Sequence, residues 1–156
     1  MGKQMGRQVV ATNRKARHEY HLDQTLEAGL ALTGTEVKAL RAGMASLSDG
    51  WVSFEAGQAY LEGVHIPEYS QGTWTNHAPR RKRKLLLHKD QIRKWAAKTA
   101  QAGVTAVPLQ LYFQGGRAKV EIALARGKRD WDKRQALRER QDGIEAQRAM
   151  RTRSLR

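Results

Sequence analysis

The last thirty-one residues, Arg126 to Arg156, set the limit on what this chain can fold into. They hold eleven Lys/Arg against five Asp/Glu. Their larger apolar residues are only Trp131, Leu137, Ile144, Met150 and Leu155. A helix docks on a core through an apolar stripe that recurs every three to four positions. Leu137 and Ile144 are seven apart and share a face, but they make a thin stripe. The segment lacks the means to build a core, and its charge selects a polyanion as what holds it. The fold has to come from the residues before it.

Those residues are enough. Without the tail, roughly 125 residues remain, which suffices for one core. The 156-residue chain carries a formal net charge of +14. Charge of this size repels itself and favours phosphate backbones or anionic membranes as partners. A membrane is the weaker choice, because no apolar run approaches the ~20 residues of a spanning helix. Met1 to Ala16 also lacks the apolar centre of a signal peptide. The chain has no cysteine, which excludes disulfides and thiolate metal sites and favours a reducing, cytoplasmic setting.

Residues 1–9 read as a basic flexible arm; Met1 to Arg17 hold five basic residues and no acidic one. From Glu19 to Leu32 the even positions Tyr20, Leu22, Leu26, Ala28, Leu30 and Leu32 are apolar, the period-2 sign of a half-buried strand. Thr35 is placed to cap a short helix, Glu36 to Ala42, ended by Gly43. Trp51 to Ile66 reads as a hairpin split at Glu55-Ala56-Gly57-Gln58. Glu68 to Pro79 is a polar, turn-rich loop. Lys89 to Ala102 is helical, with Ile92, Trp95, Ala96 and Thr99 on one face and Gly103 at its end. Val104 to Phe113 and Arg117 to Ala125 alternate as strands around Gly115-Gly116, which supply the positive φ of a tight hairpin. The fold class is mainly β with short helices. A small closed antiparallel OB-like barrel over residues 10–127, with a basic tail over 128–156, leaves no exposed strand edges. Periodicity alone does not separate it from an open α+β sheet.

The histidines make no metal site. His18 and His21 lack the spacing of a zinc-protease helix, and on a strand they point to opposite faces. His65, His77 and His88 show no partner spacing. No nucleophile motif and no phosphate-loop lysine occurs. The expectation is a binding protein with no catalytic residues, no metal, no cofactor, no small-molecule substrate and no membrane partner. An RNA-cutting enzyme that uses scattered His and Lys stays open, as does a generic basic barrel for single-stranded RNA. Arg80 to Lys84, five consecutive cations, read either as a solvated loop or as a phosphate-contacting one. Glu27 reads as an exposed strand residue beside Gly29. Trp131 is flanked by charges and has no core to enter; aromatics in that setting stack on unpaired bases.

A resemblance extends this reading. Asn13-Arg14-Lys15-Ala16-Arg17-His18-Glu19-Tyr20 is nearly identical to the opening motif of the SsrA-binding protein family, SmpB. Glu27 to Leu32 and Gly34 to Gly43 resemble its next signature. Arg83 to His88, Val107 to Tyr112, Arg117 to Glu121, Gly127-Lys128 and Asp132-Lys133-Arg134 follow in the family's order, so the resemblance spans about Val10 to Met150. Relatives often carry Tyr or His where this chain has Trp131.

The resemblance implies an adaptor of trans-translation. It implies that the barrel binds the transfer-RNA-like domain of transfer-messenger RNA and delivers it to stalled ribosomes. Asn13, Lys15, Glu27, Leu86, His88 and Lys119 would help form the barrel's RNA face, with Arg81, Lys82, Arg83 and Lys84 on phosphates. The tail would enter the small subunit's empty decoding site and message channel, through Gly127, Lys128, Trp131, Asp132, Lys133, Arg134, Arg138 and Met150. The tail is expected to be disordered when free and helical on the ribosome, from Asp132 to about Met150. Gly143 in that stretch costs a free helix ~1 kcal/mol relative to Ala.

Overall fold

In a computed structural model of the chain, residues 6–69 and 76–127 are described. The chain divides into two units, Met1–Arg126 and Gly127–Arg156. The tail residues Lys128, Trp131, Asp132, Lys133, Arg134, Arg138 and Met150 lie outside the described residues, as does the expected helix.

Seven strands form one sheet: β1 (Gln8–Thr12), β2 (Tyr20–Leu30), β3 (Trp51–Glu55), β4 (Gln58–Glu62), β5 (Arg83–Leu86), β6 (Val104–Gln114) and β7 (Arg117–Gly127). Three helices accompany them: α1 (Arg14–Glu19), α2 (Gly34–Arg41) and α3 (Lys89–Thr99). The strand order is β1-β6-β7-β2-β5-β4-β3. β1 and β3 are therefore the two ends. Among the described residues the ladder does not return on itself, so the sheet is open and the closed barrel expected from the sequence is not formed. Pro108 on β6 has no N–H to give a further strand, and the register slips beside it, between Pro108 and Gln110. The backbone just before β3 comes close to this region: a β-carbon added at Gly50 would lie 2.8 Å from the Pro108 ring and 2.8 Å from Val64.

The same bulge explains a second departure. In a regular strand alternate residues share a face, which would put Val107, Leu109 and Leu111 together. One extra residue on β6 shifts that period. Val107 and Leu109 pack with Ala16, Ala123 and Ala125, whereas Leu111 and Phe113 join the main core with Val120, Ile122 and Leu124. The main core also takes Leu40 from α2 and Ile92 and Trp95 from α3.

Several local expectations hold, and some shift. The β6–β7 hairpin turns at Gly115 (φ 59°) and Gly116 (φ 76°), both left-handed as a two-residue turn requires. The split at Ala56-Gly57 separates β3 from β4. Helix α2 starts earlier than expected: Thr33, not Thr35, is the N-cap. The Thr33 hydroxyl accepts from the Glu36 N–H and the Glu36 carboxylate from the Thr33 N–H, a reciprocal box two residues upstream. The N-terminal arm ends sooner than Val9, because Gln8 and Val9 already pair with Phe113 and Tyr112. Five residues at an edge give little period to read. Helix α1 has no apolar stripe; Asn13 caps it and Ala16 is its one buried residue.

Candidate nucleic-acid interface

The cation run Arg80 to Lys84 is where sequence and structure differ most. It is not a solvated loop throughout: Arg80 and Lys82 are exposed ahead of the strand, but β5 begins at Arg83 and imposes a period of two from there. Arg83 and Leu85 point in; Lys84 and Leu86 point out. Arg83 is fully buried. Its Nε donates to Glu36 Oε2, and its NH groups donate to the carbonyls of Val64 (2.9 Å), Pro79 (2.9 Å) and Arg81 (3.1 Å). Arg81 donates to both Glu36 oxygens, at 3.0 and 2.5 Å. Burial pushes the Glu36 carboxyl up, but Arg81, the Thr33 N–H and Arg83 outweigh it and hold it below the ordinary carboxylate value. Burial likewise lowers Arg83, opposed by Glu36. Lys82 pairs with Glu55 at 2.6 Å and lies over the Tyr60 ring. Of the four cations expected on phosphate, Arg83 presents no free donor outward.

Asn13 is also internal. Its amide donates to the carbonyls of Pro108 (2.8 Å) and Leu47 (3.3 Å), and its oxygen accepts from the Ala16 N–H (3.1 Å). It fastens α1 to the β6 bulge. Lys15 lines a depression with Tyr20, Asp49 and Trp51.

Four of the expected residues do converge. Glu27, Leu86 and His88 line one groove together with Lys84 and Gln58. Leu86 and Lys119 line a second, more apolar one with Gly29, Phe113 and Arg117. Glu27 and Lys119 join the grooves through a salt bridge of 3.0 Å. Leu86 is 54% exposed, an unusual place for leucine beside a full core. It lies there because Gly29 is its partner across β2 and β5, and a β-carbon at Gly29 would come within 3.2 Å of the Leu86 β-carbon. His88 caps α3, and its backbone N–H donates to Gln91 (3.0 Å).

Two further residues of this surface, Tyr112 and Arg7, are not among the expected site residues. The Tyr112 hydroxyl donates to Glu27 Oε2, and the Arg7 guanidinium lies over the Tyr112 ring at 4.2 Å. Tyr112 lies in a family motif, yet its partner is 85 residues away. The Tyr112 and Lys119 hydrogen bonds hold the Glu27 carboxyl below its ordinary value. Burial first, then Glu27, push the Tyr112 hydroxyl far up, so it stays a donor. Among the described residues, no group of three or more His, Asp or Glu is placed to hold a metal ion. No helix among them is long and apolar enough to cross a membrane.

An acceptor, several cations, an imidazole and an open leucine on one sheet face are the complement of a nucleobase beside its phosphates. Fold and surface together define a basic β-sheet protein with a nucleic-acid type of face. Known proteins make this specific. The family model described as SmpB protein matches residues 10–152. An SsrA-binding protein of Leifsonia xyli subsp. xyli is 66% identical over 153 residues, covering 98% of this chain and 97% of its own. One from Kineococcus radiotolerans is 64% identical over 150 residues, covering 96% of each chain. A solved structure described as "tmRNA-SmpB: a journey to the center of the bacterial ribosome" is 49% identical. It matches with a TM-score of 0.67 over 82% of this chain and 94% of that one. The chain belongs to the SmpB family of SsrA-binding proteins.

Proposed function

We propose that this chain is the protein adaptor of trans-translation, acting in the cytoplasm without catalysis of its own. The folded unit binds the transfer-RNA-like domain of transfer-messenger RNA through Glu27, Lys84, Leu86, His88 and Lys119, with Arg81, Lys82 and Lys15 toward phosphates. Arg83 and Asn13 serve the same surface from inside, by fixing β5 and α1. The basic tail is the second functional unit. It enters the empty decoding site and message channel of a stalled ribosome, where Asp132 to about Met150 become helical. Trp131 stacks on an unpaired base there; Gly127, Lys128, Lys133, Arg134 and Arg138 meet the ribosomal RNA around it.

The observation that carries this reading is the convergence of Glu27, Leu86, His88 and Lys119 on one open sheet face. The identity of the relatives as SsrA-binding proteins and the ribosomal setting of the solved neighbour support it. The test divides labour between the units. A chain cut after Gly127 keeps its circular dichroism and its affinity for transfer-messenger RNA, and loses rescue of ribosomes stalled without downstream message. Trp131→Ala in the full chain keeps RNA affinity and slows peptidyl transfer to the rescue RNA, while Trp131→Tyr is nearly silent. Stacking of this kind is worth ~1–3 kcal/mol. Equal rescue rates for Trp131→Ala and the parent rule out the stacking role. Loss of RNA affinity on truncation rules out the division of labour. Indiscriminate capture of cellular RNA points to a generic binder of single strands.

A further inference from the structure

A carboxylate on an RNA-binding face is a puzzle, because it repels phosphate. Its surroundings resolve the puzzle. An ionised carboxylate offers about four acceptor positions. Glu27 uses two: Oε1 accepts from Lys119 at 3.0 Å and Oε2 accepts from the Tyr112 hydroxyl. The others are open, on a side chain 39% exposed beside the Leu86 groove.

The Tyr112 ring is fully buried, so its hydroxyl is a fixed point. Arg7, just before β1, braces it from outside. Its guanidinium covers the ring, approaches Glu27 Oε2 at 3.8 Å, and holds Glu121 (3.3 Å) and Gln110 (3.2 Å) with its other nitrogen. The groups facing Glu27 are therefore Tyr112 from β6, Lys119 from β7, with Glu121 beyond it, Arg7 ahead of β1, and Lys84 and His88 along the groove. Two cations and a hydroxyl donor favour the ionised form.

We infer that Tyr112 is a positioning and specificity-determining residue: its hydroxyl fixes Glu27 so that the open acceptor positions take the amino or imino edge of an unpaired nucleobase. This rests on the RNA-binding reading above. The chemistry selects the class of ligand group. A diester phosphate has no hydrogen to donate, so it gains nothing from Glu27. Base edges present N–H groups, and unpaired bases are read on those edges. Lys119 acts at this spot by holding the carboxylate, which reduces its availability to phosphate.

The substitution that isolates the claim is Tyr112→Phe, which keeps the ring and removes the donor. First, without RNA, the Glu27 carboxyl is followed through a pH titration by carbon NMR in the full-length protein. The expected result is a titration at higher pH in Tyr112→Phe than in the parent; an unmoved titration overturns the positioning role. Second, affinities for transfer-messenger RNA and ordinary transfer RNA are compared across salt. The preference is expected to fall about tenfold, the worth of one hydrogen bond to a charged group. The salt slope is expected to stay put, because no phosphate contact is removed. Glu27→Gln is expected to lose a similar factor, and the double variant little more, since the two act as one unit. Additive losses, as two independent structural defects would give, overturn the proposal. So does a salt slope reduced by about 0.7–0.9, the signature of one lost phosphate contact. A parent with no preference for transfer-messenger RNA overturns the functional reading and base recognition with it, while the RNA-free titration still reports on Tyr112 and Glu27.

Discussion

Glu36 and Glu27 are both carboxylates gripped by cations, and they differ in what is left over. Glu36 is fully buried and accepts four hydrogen bonds, from the Thr33 N–H, from Arg81 twice and from Arg83. Every acceptor position is filled, so it has nothing to offer a ligand. It ties α2 to β5 and to the segment leading into it. Glu27 accepts two hydrogen bonds and faces outward. On the proposed function, the same residue types serve the fold in one place and recognition in the other, and saturation decides which.

The sharpest way to break this comparison is to remove one partner from the buried network. Arg83→Ala leaves Glu36 short of a buried counter-charge, and such losses cost about 3–5 kcal/mol. Thermal unfolding is expected to show a large drop in Tm, with RNA affinity per folded molecule kept. If instead Arg83→Ala folds like the parent and binds RNA weakly, Arg83 is a phosphate contact and the buried network is unimportant.

Asn13→Ala comes next in size. It removes the α1 cap and leaves the Pro108 and Leu47 carbonyls without this donor, a loss of roughly 1–3 kcal/mol. Denaturant unfolding is expected to register it, while Lys15→Ala, on the exposed face of the same helix, leaves stability unchanged. Equal stability losses would contradict the internal role of Asn13.

Acid sharpens the comparison further. Both carboxyls have folded-state pKa values below the ordinary 4.5. A depressed carboxyl contributes stability that is complete above its unfolded value and is lost as pH falls through the folded value. Stability is therefore expected to fall below about pH 4.5 in the parent. Glu27→Gln removes only the outer, solvent-screened part of that fall. A parent curve flat from pH 5 to pH 3 would contradict both depressed values. The smallest effect belongs to Lys82→Ala, which breaks an exposed pair with Glu55 and is expected to leave Tm within error.

These contrasts also mark how much the sequence could reveal. The β6–β7 hairpin was legible because Gly115 and Gly116 sit between two alternating runs. The inward face of β2 was legible for the same reason. The family motifs pointed to Glu27, Leu86, His88 and Lys119 without saying that they converge. The burial of Arg83 is not legible, because a cation run looks outward-facing until a partner is known, and Glu36 lies 47 positions upstream. The split of Val107 and Leu109 from Leu111 was hidden by the bulge, which Pro108 hints at but whose extra position the alternating apolar pattern does not show. Sheet closure failed as an expectation because edge pairing depends on strand order, which period does not carry. Tyr112 and Arg7 reach Glu27 only through the pairing of distant strands.

The central claim, that the open carboxylate surface and not the saturated one meets RNA, has a direct measurement. Isotope-labelled full-length protein is titrated with the transfer-RNA-like domain of transfer-messenger RNA, and side-chain and amide shifts are followed. The account predicts strong changes at Glu27, Leu86, His88, Lys119 and the Tyr112 ring, with Glu36 and Arg83 nearly still. Changes centred on Glu36 and Arg83, with the Glu27 cluster undisturbed, would contradict it.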